Sequence, residues 1–210
     1  MNNTFFASAT VALTALLASP ASAADLYDRD LEKQKVEVMD DNGDSWNLTR
    51  VFHERVVDAT PEEAWQSLAD YGGVAHVSPT IYKAGVISDN AEFAVGCERF
   101  CSLEFQGRDI YIEERIIELV EGEHYTYDVY EWENFPLRKM FVTFGVKTND
   151  MGETVLYNIV DYQLKPRIMT GMMKGQMADS ARTGVLAYKH FTETGKGGLG
   201  PDDLVAMYGE

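Results

Sequence analysis

The sequence is poor in the residues that most often reveal a protein's chemistry. Its 210 residues include two cysteines and four histidines. Two cysteines cannot build a disulfide framework. A metal site on Cys97 and Cys101 would need two further ligands from His53, His76, His124 and His190, which show no ligand-type spacing. No metal and no other cofactor is therefore expected. Basic residues are scarce too: 18 Lys and Arg stand against 34 Asp and Glu, a formal charge of −16. Such a chain repels nucleic acid and anionic lipid surfaces at long range, and no basic-aromatic stripe opposes that repulsion. Nucleophile elbows, phosphate-cradling glycine loops and zinc-protease helices are missing as well. There is no internal repeat. Beyond the first two dozen residues no apolar run is long enough to span a bilayer, so no stable membrane insertion is expected.

Those first residues read as a leader. Ala9 to Ala18 is apolar, and Pro20 precedes Ala21-Ser22-Ala23, a small-residue cleavage pattern with the cut expected before Ala24. No Lys or Arg occurs before Arg29, so only the amino terminus supplies positive charge. The expectation is a signal peptide over 1–23 and an exported protein, periplasmic or secreted. A hydrophobic content of 45% is enough for a full core. The rest divides into a lead-in and hairpin strand over 24–46, one domain over 47–194, and a flexible tail over 195–210. The tail opens on Gly195, Gly197, Gly198 and Gly200 and ends in a small amphipathic piece, Asp202 to Tyr208.

The longest helical stretch runs from Arg167 to Thr194, between Pro166 and Gly195. On a helical wheel Lys174, Arg182 and Lys189 share one side. Met169, Met173, Gln176, Ser180, Gly184, Ala187 and Phe191 share the other, with Met172, Met177 and Tyr188 on its flanks. That inner face favours methionine and small residues over Leu and Ile. Methionine is flexible and polarizable and suits a surface that re-packs around varied apolar partners. An ordinary core face reads the same way. Gly171 and Gly175 form a Gly-x-x-x-Gly pattern, which in so charged a segment predicts close backbone packing.

The chain before it reads as strand. Val36–Met39 and Trp46–Val57 form a hairpin across Asn42-Gly43. The acidic residues there fail the EF-hand spacing and read as a solvated turn. Thr60-Pro61-Glu62-Glu63 is a capping box with proline at the first helical position. That helix ends at Gly72-Gly73, and a short turn over Val74–Val77 follows. Six further strands are expected: Thr80–Ile87, Phe93–Phe105, Ile110–Leu119, Tyr125–Trp132, Met140–Thr148 and Thr154–Leu164, joined by short turns and hence antiparallel. The fold class is α+β: a curved sheet of about seven antiparallel strands wrapped around one long C-terminal helix, with two short helices. The space between sheet and helix is either packed core or a ligand cavity.

This order resembles the START-like, or SRPBCC, helix-grip superfamily, and its polyketide cyclase/dehydrase-type members in particular. The resemblance rests on Val57-Asp-Ala-Thr-Pro-Glu-Glu-Ala-Trp65, Val77-Ser-Pro79, Gly96-Cys-Glu-Arg99, Gly107 with Glu114-Arg115, and the final long helix, and covers about Asn47 to Thr194. It implies a protein that binds apolar or amphipathic ligands (lipids, quinones, sterols, hormones, polyketides) between sheet and helix. Some members are cyclases or aromatases, and an exported leader departs from the best-known cytosolic ones.

Candidate cavity residues follow from parity. Cys97, Arg99, Cys101, Leu103 and Phe105 share a face if Phe93–Phe105 is one strand. The two thiols would then lie about 13 Å apart, at roughly 3.3 Å per residue. A disulfide needs alpha carbons closer than about 7 Å. Buried free thiols facing the cavity are favoured, although a bulge would bring them closer. An inward Arg99 must be paired, either with a ligand carboxylate or phenolate or with an inward acid such as Glu114. Tyr127, Phe144, Met169, Met173, Met177 and His76 complete the candidate set. His76, His190 and Tyr127 could form an acid-base set, though nothing in the spacing demands it.

The functional expectation is an exported binder of an apolar or amphipathic small molecule. The alternatives are a polyketide cyclase or dehydratase-like enzyme, and a non-catalytic partner-binding protein with a filled core. That third reading predicts an exposed apolar patch around Trp132–Leu137 or a docked tail.

Overall fold

In the computed structural model, residues 34–40, 42–88 and 92–209 are described. The expected leader and most of the lead-in lie outside them. Eight strands form one antiparallel sheet: β1 (Lys35–Met39), β2 (Ser45–Val57), β3 (Ile81–Val86), β4 (Glu98–Phe105), β5 (Arg108–Val120), β6 (His124–Glu133), β7 (Leu137–Thr148) and β8 (Thr154–Leu164). The order across the sheet is β1-β2-β8-β7-β6-β5-β4-β3. The strands from β3 to β8 meander, and β8 closes back against β2. The count is eight rather than about seven because β1 pairs fully with β2, from Lys35↔Thr49 to Met39↔Ser45.

Turn chemistry explains most strand ends. Gln106 and Gly107 both take positive φ, 54° and 72°, in a two-residue turn that matches strand twist, so β5 begins at Arg108. The strand expected from Phe93 starts only at Glu98. Gly96 has φ 90° and turns the chain just before it, which takes Cys97 off the regular strand. In the first hairpin Asp40 Oδ1 accepts the amides of Asn42 and Asp44, each at 3.0 Å. Its Oδ2 accepts the Trp46 indole N–H at 2.9 Å. The turn itself thus uses that carboxylate.

Helix α1 (Pro61–Ala69) carries the expected capping box. Glu63 N–H donates to Thr60 Oγ1 at 3.2 Å, and Thr60 N–H donates to Glu63 Oε2 at 2.9 Å. A single 3-10 turn (Tyr71–Gly73) leads into α2 (Val74–Val77). The long helix is divided, unlike the expectation. A short α3 (Ile168–Met172) and a long α4 (Lys174–Thr194) meet at Met173, whose φ and ψ are −93° and 8°. Gly171 and Gly175 flank the break, and glycine weakens a helix by about 1 kcal/mol per residue. Tyr162 adds to it by donating its hydroxyl to the Thr170 carbonyl at 2.9 Å. A Cβ on either glycine would meet nothing within 4 Å, so the pair does not serve close packing.

Helix α4 lies over β2 and β8 and ends on Gly195 in the left-handed region, φ 69°. The segment expected as a flexible tail is ordered against it. Helix α5 (Pro201–Tyr208) buries Leu204 to 1% exposure and hydrogen-bonds its Tyr208 hydroxyl to His190 Nδ1 at 2.9 Å. Arg182 Nη2 donates to the Gly209 carbonyl at 2.7 Å. None of the described helices is long and apolar enough to cross a membrane.

Candidate functional site

The sheet's inner face and α4 enclose a cavity of about 440 Å³. Strand alternation decides what lines it. From β4 and β5 come Arg99, Leu103, Phe105, Ile110, Ile112 and Glu114. Strands β6 to β8 add Tyr127, Val129, Leu137, Val142, Phe144, Asn158 and Val160. Val74 and Val77 of α2 and Ile81 of β3 close one side. Helix α4 contributes Gln176, Met177, Ser180, Ala181, Gly184, Ala187 and Tyr188. Its small residues leave the space open. Even so, a Cβ at Gly184 would already touch Phe144, at 3.4 Å. Exposed Glu104, Gln106, Gln176, Asp179 and Ser180 form the rim.

Beyond one wall the interior is solid. Trp65, Tyr71, Phe93 and Tyr125 pack edge to face or tilted, with ring centroids 5.4–6.5 Å apart. Tyr125 stacks in turn on Tyr127 and Phe144.

One buried ion pair breaks the apolar lining. Arg99 and Glu114 sit opposite each other on β4 and β5, 1% and 2% exposed. Arg99 Nε donates to Glu114 Oε2 at 2.5 Å, and Arg99 Nη1 donates to the Tyr71 carbonyl at 2.6 Å. The guanidinium also lies over the Tyr71 ring, 3.9 Å from its centroid, and 5.2 Å from that of Tyr127. Burial pushes the Glu114 carboxyl up, while Arg99 and the Tyr127 hydroxyl pull it back toward the charged form. Despite its burial, Arg99 is held protonated by Glu114. The Cys101 thiol, 4.0 Å from Glu114 Oε2, is pushed up to about 12 by burial and by that carboxylate.

Three tyrosine hydroxyls nearby, those of Tyr71, Tyr125 and Tyr188, are buried and make no hydrogen bond of normal geometry among the described residues. The Tyr125 and Tyr188 hydroxyls lie beside each other: burial pushes Tyr188 up, and Tyr125, as a weak hydrogen-bond neighbour, pulls it down. Of the three, Tyr188 lines the cavity.

Five of the ten sequence candidates line the cavity: Arg99, Leu103, Tyr127, Phe144 and Met177. Five do not. Cys97 and Cys101 are free and buried as expected, but they pack behind the wall rather than facing the cavity. Met169 and Met173 precede the main run of α4 and pack on the core instead. His76 is exposed on α2. His190 is tied to Tyr208, so among His76, His190 and Tyr127 only Tyr127 reaches the cavity, and the three form no acid-base set. The segment Trp132–Leu137 is no open apolar patch either, because Leu137 is 2% exposed and Phe135 packs on the core. Sequence reasoning omitted Ile110, Ile112, Asn158, Val160 and Tyr188 from the site. Each was recoverable from strand parity or from the flank of the helical wheel.

An antiparallel sheet gripping a long C-terminal helix around a largely apolar cavity is the START-like, helix-grip architecture. The chain belongs to the family described as polyketide cyclase / dehydrase and lipid transport, whose sequence profile matches residues 49–187. No curated protein matches it in sequence. Among solved structures it is similar to the Zhui aromatase/cyclase from Streptomyces sp. R1128, at 17% identity and a TM-score of 0.59 over 71% of this chain and 99% of that one. A major latex-like protein from Panax ginseng aligns at 11% identity with a TM-score of 0.55, over 71% of this chain and 97% of that one. A START superfamily protein from Mycobacterium smegmatis aligns at 16% identity with a TM-score of 0.52, over 62% and 90%. Identities this low speak for the fold alone.

Proposed function

We propose that this chain is an exported binding protein that holds an apolar or amphipathic small molecule between its sheet and α4. The supporting observation is the cavity itself: about 440 Å³, walled mainly by aliphatic and aromatic side chains, with the buried Arg99–Glu114 ion pair on its lining. Burial of ligand surface drives binding, at about 25 cal/mol per Å² before the costs of association. Export rests on the apolar leader and its Ala21-Ser22-Ala23 cleavage pattern.

Native mass spectrometry of the protein, expressed in full and purified without detergent, tests both parts. A mass starting at Ala24 with an adduct that leaves on denaturation is expected. Ser180→Trp, which fills the rim, should abolish the adduct while leaving the fold intact by circular dichroism. An uncleaved chain removes the export reading. An adduct equally abundant in the Ser180→Trp variant removes the cavity as its seat.

A further inference from the structure

The cavity's one ion pair bears on what the cavity accepts, an inference that rests on the binding role proposed above. A lone inward arginine would serve as a clamp for a carboxylate or phenolate. Here the positive charge of Arg99 is already matched by Glu114 at 2.5 Å, and both side chains are almost fully buried. An anionic ligand would meet attraction from the guanidinium and repulsion from the carboxylate at similar range. Its own desolvation would then go uncompensated. The surrounding protein adds nothing favourable, since its formal charge is −16.

Hydrogen-bonding capacity remains nonetheless. Arg99 spends Nε on Glu114 and Nη1 on the Tyr71 carbonyl, and a guanidinium carries more N–H donors than those two bonds use. Tyr188, also on the cavity wall, has a buried hydroxyl that makes no hydrogen bond of normal geometry among the described residues, with the Tyr125 hydroxyl, equally unsatisfied, beside it. Both groups donate. What they lack is a neutral acceptor.

We infer that the cavity selects uncharged ligands carrying a hydrogen-bond acceptor, such as a ketone or ester carbonyl, and rejects carboxylates, with Glu114 as the specificity-determining residue. Arg99 and Tyr188 supply the donors, and Glu114 removes the net positive charge that would otherwise recruit an acid. Neutralising the carboxyl without changing its shape, as in Glu114→Gln, should turn the same cavity into an anion binder.

The test uses the full protein, with isothermal titration at neutral pH and two matched probe pairs. Methyl laurate against laurate covers extended ligands, and methyl 2-naphthoate against 2-naphthoate covers ring systems. In the wild type each ester that binds should bind roughly 100-fold tighter than its acid, the size of effect expected for an unpaired buried charge. In Glu114→Gln the acid should gain about 10-fold or more while the ester changes little. That swap in charge preference separates a specificity role from a structural one, which would weaken both probes together. Equal binding of ester and acid by the wild type overturns the inference and leaves the cavity's binding role standing. No binding of any probe overturns the two together. The wild-type comparison decides the matter even if the variant does not fold.

Discussion

Each face of the sheet carries a buried arginine–carboxylate pair, and the two pairs are built differently. On the outer face Arg50 and Asp161 meet fork to fork, Nε to Oδ1 at 2.8 Å and Nη2 to Oδ2 at 2.7 Å. They lie directly across β2 and β8, 2% and 0% exposed. On the inner face Arg99 gives Glu114 a single Nε bond, gives a backbone carbonyl another, and leans on the Tyr71 ring. The outer pair spends its best geometry inside the pair, which suits a clamp between strands. The inner pair shares one bond rather than two, borders a cavity and keeps donors in hand. Similar residues at similar burial thus do different work, and the bonding pattern distinguishes them where exposure does not.

The largest test of that contrast is Asp161→Ala. It strands Arg50 without its carboxylate and should cost about 3–5 kcal/mol in urea unfolding, with ligand affinity unchanged wherever the fold holds. A loss under 1 kcal/mol would reduce the outer pair to an ornament of the sheet. Tyr188→Phe should act the opposite way. Removing a buried hydroxyl that makes no hydrogen bond of normal geometry leaves the ligand-free protein as stable as before, or more stable by about 1 kcal/mol. Affinity for an acceptor-bearing ligand should drop roughly fivefold, the equivalent of about 1 kcal/mol. Thermal unfolding with and without ligand separates the two effects.

The smallest effect concerns His53, on the inner side of β2. Burial first, then the positive charges of Arg55 and Arg182, lower its pKa from 6.5 to about 4, with Glu54 opposing. A depressed pKa means that the unfolded chain takes up the proton first. The contribution of neutral His53 is therefore complete above 6.5 and fades as pH falls toward 4. Replacing it, as in His53→Gln, should flatten the acid limb of a stability-against-pH curve in that window and leave the neutral region alone.

Much of this architecture was legible in advance. Alternation and turn residues gave the hairpins, and the capping box at Thr60 located α1. The break at Met173 was less visible, because it depends on the Tyr162 hydroxyl reaching the Thr170 carbonyl, a side-chain contact between two elements that no helical pattern encodes. The site was harder, and two residues show why. Tyr125 and Tyr127 are two apart on β6 and point the same way, yet only Tyr127 borders the cavity, while Tyr125 is sealed among Trp65, Tyr71 and Phe93. Parity tells which side of a sheet a residue faces. It says nothing of how far along the strand the packing stops and the void begins. The methionines repeat the lesson on a helix: Met177 lines the cavity, whereas Met169 and Met173 fall before the main run of α4 and pack beside it.

The docking of α5 divides α4 into two unlike halves. Leu204, Tyr208 and Gly209 fasten the stretch of α4 from Arg182 to His190, so that half of the gripping helix is bolted down from outside. The stretch from Met173 to Ser180 carries no such bolt from α5 and begins at a joint. That unfastened half is also the one that carries the exposed rim residues Gln176, Asp179 and Ser180, so the mouth of the cavity and the tail's anchorage fall at opposite ends of one helix.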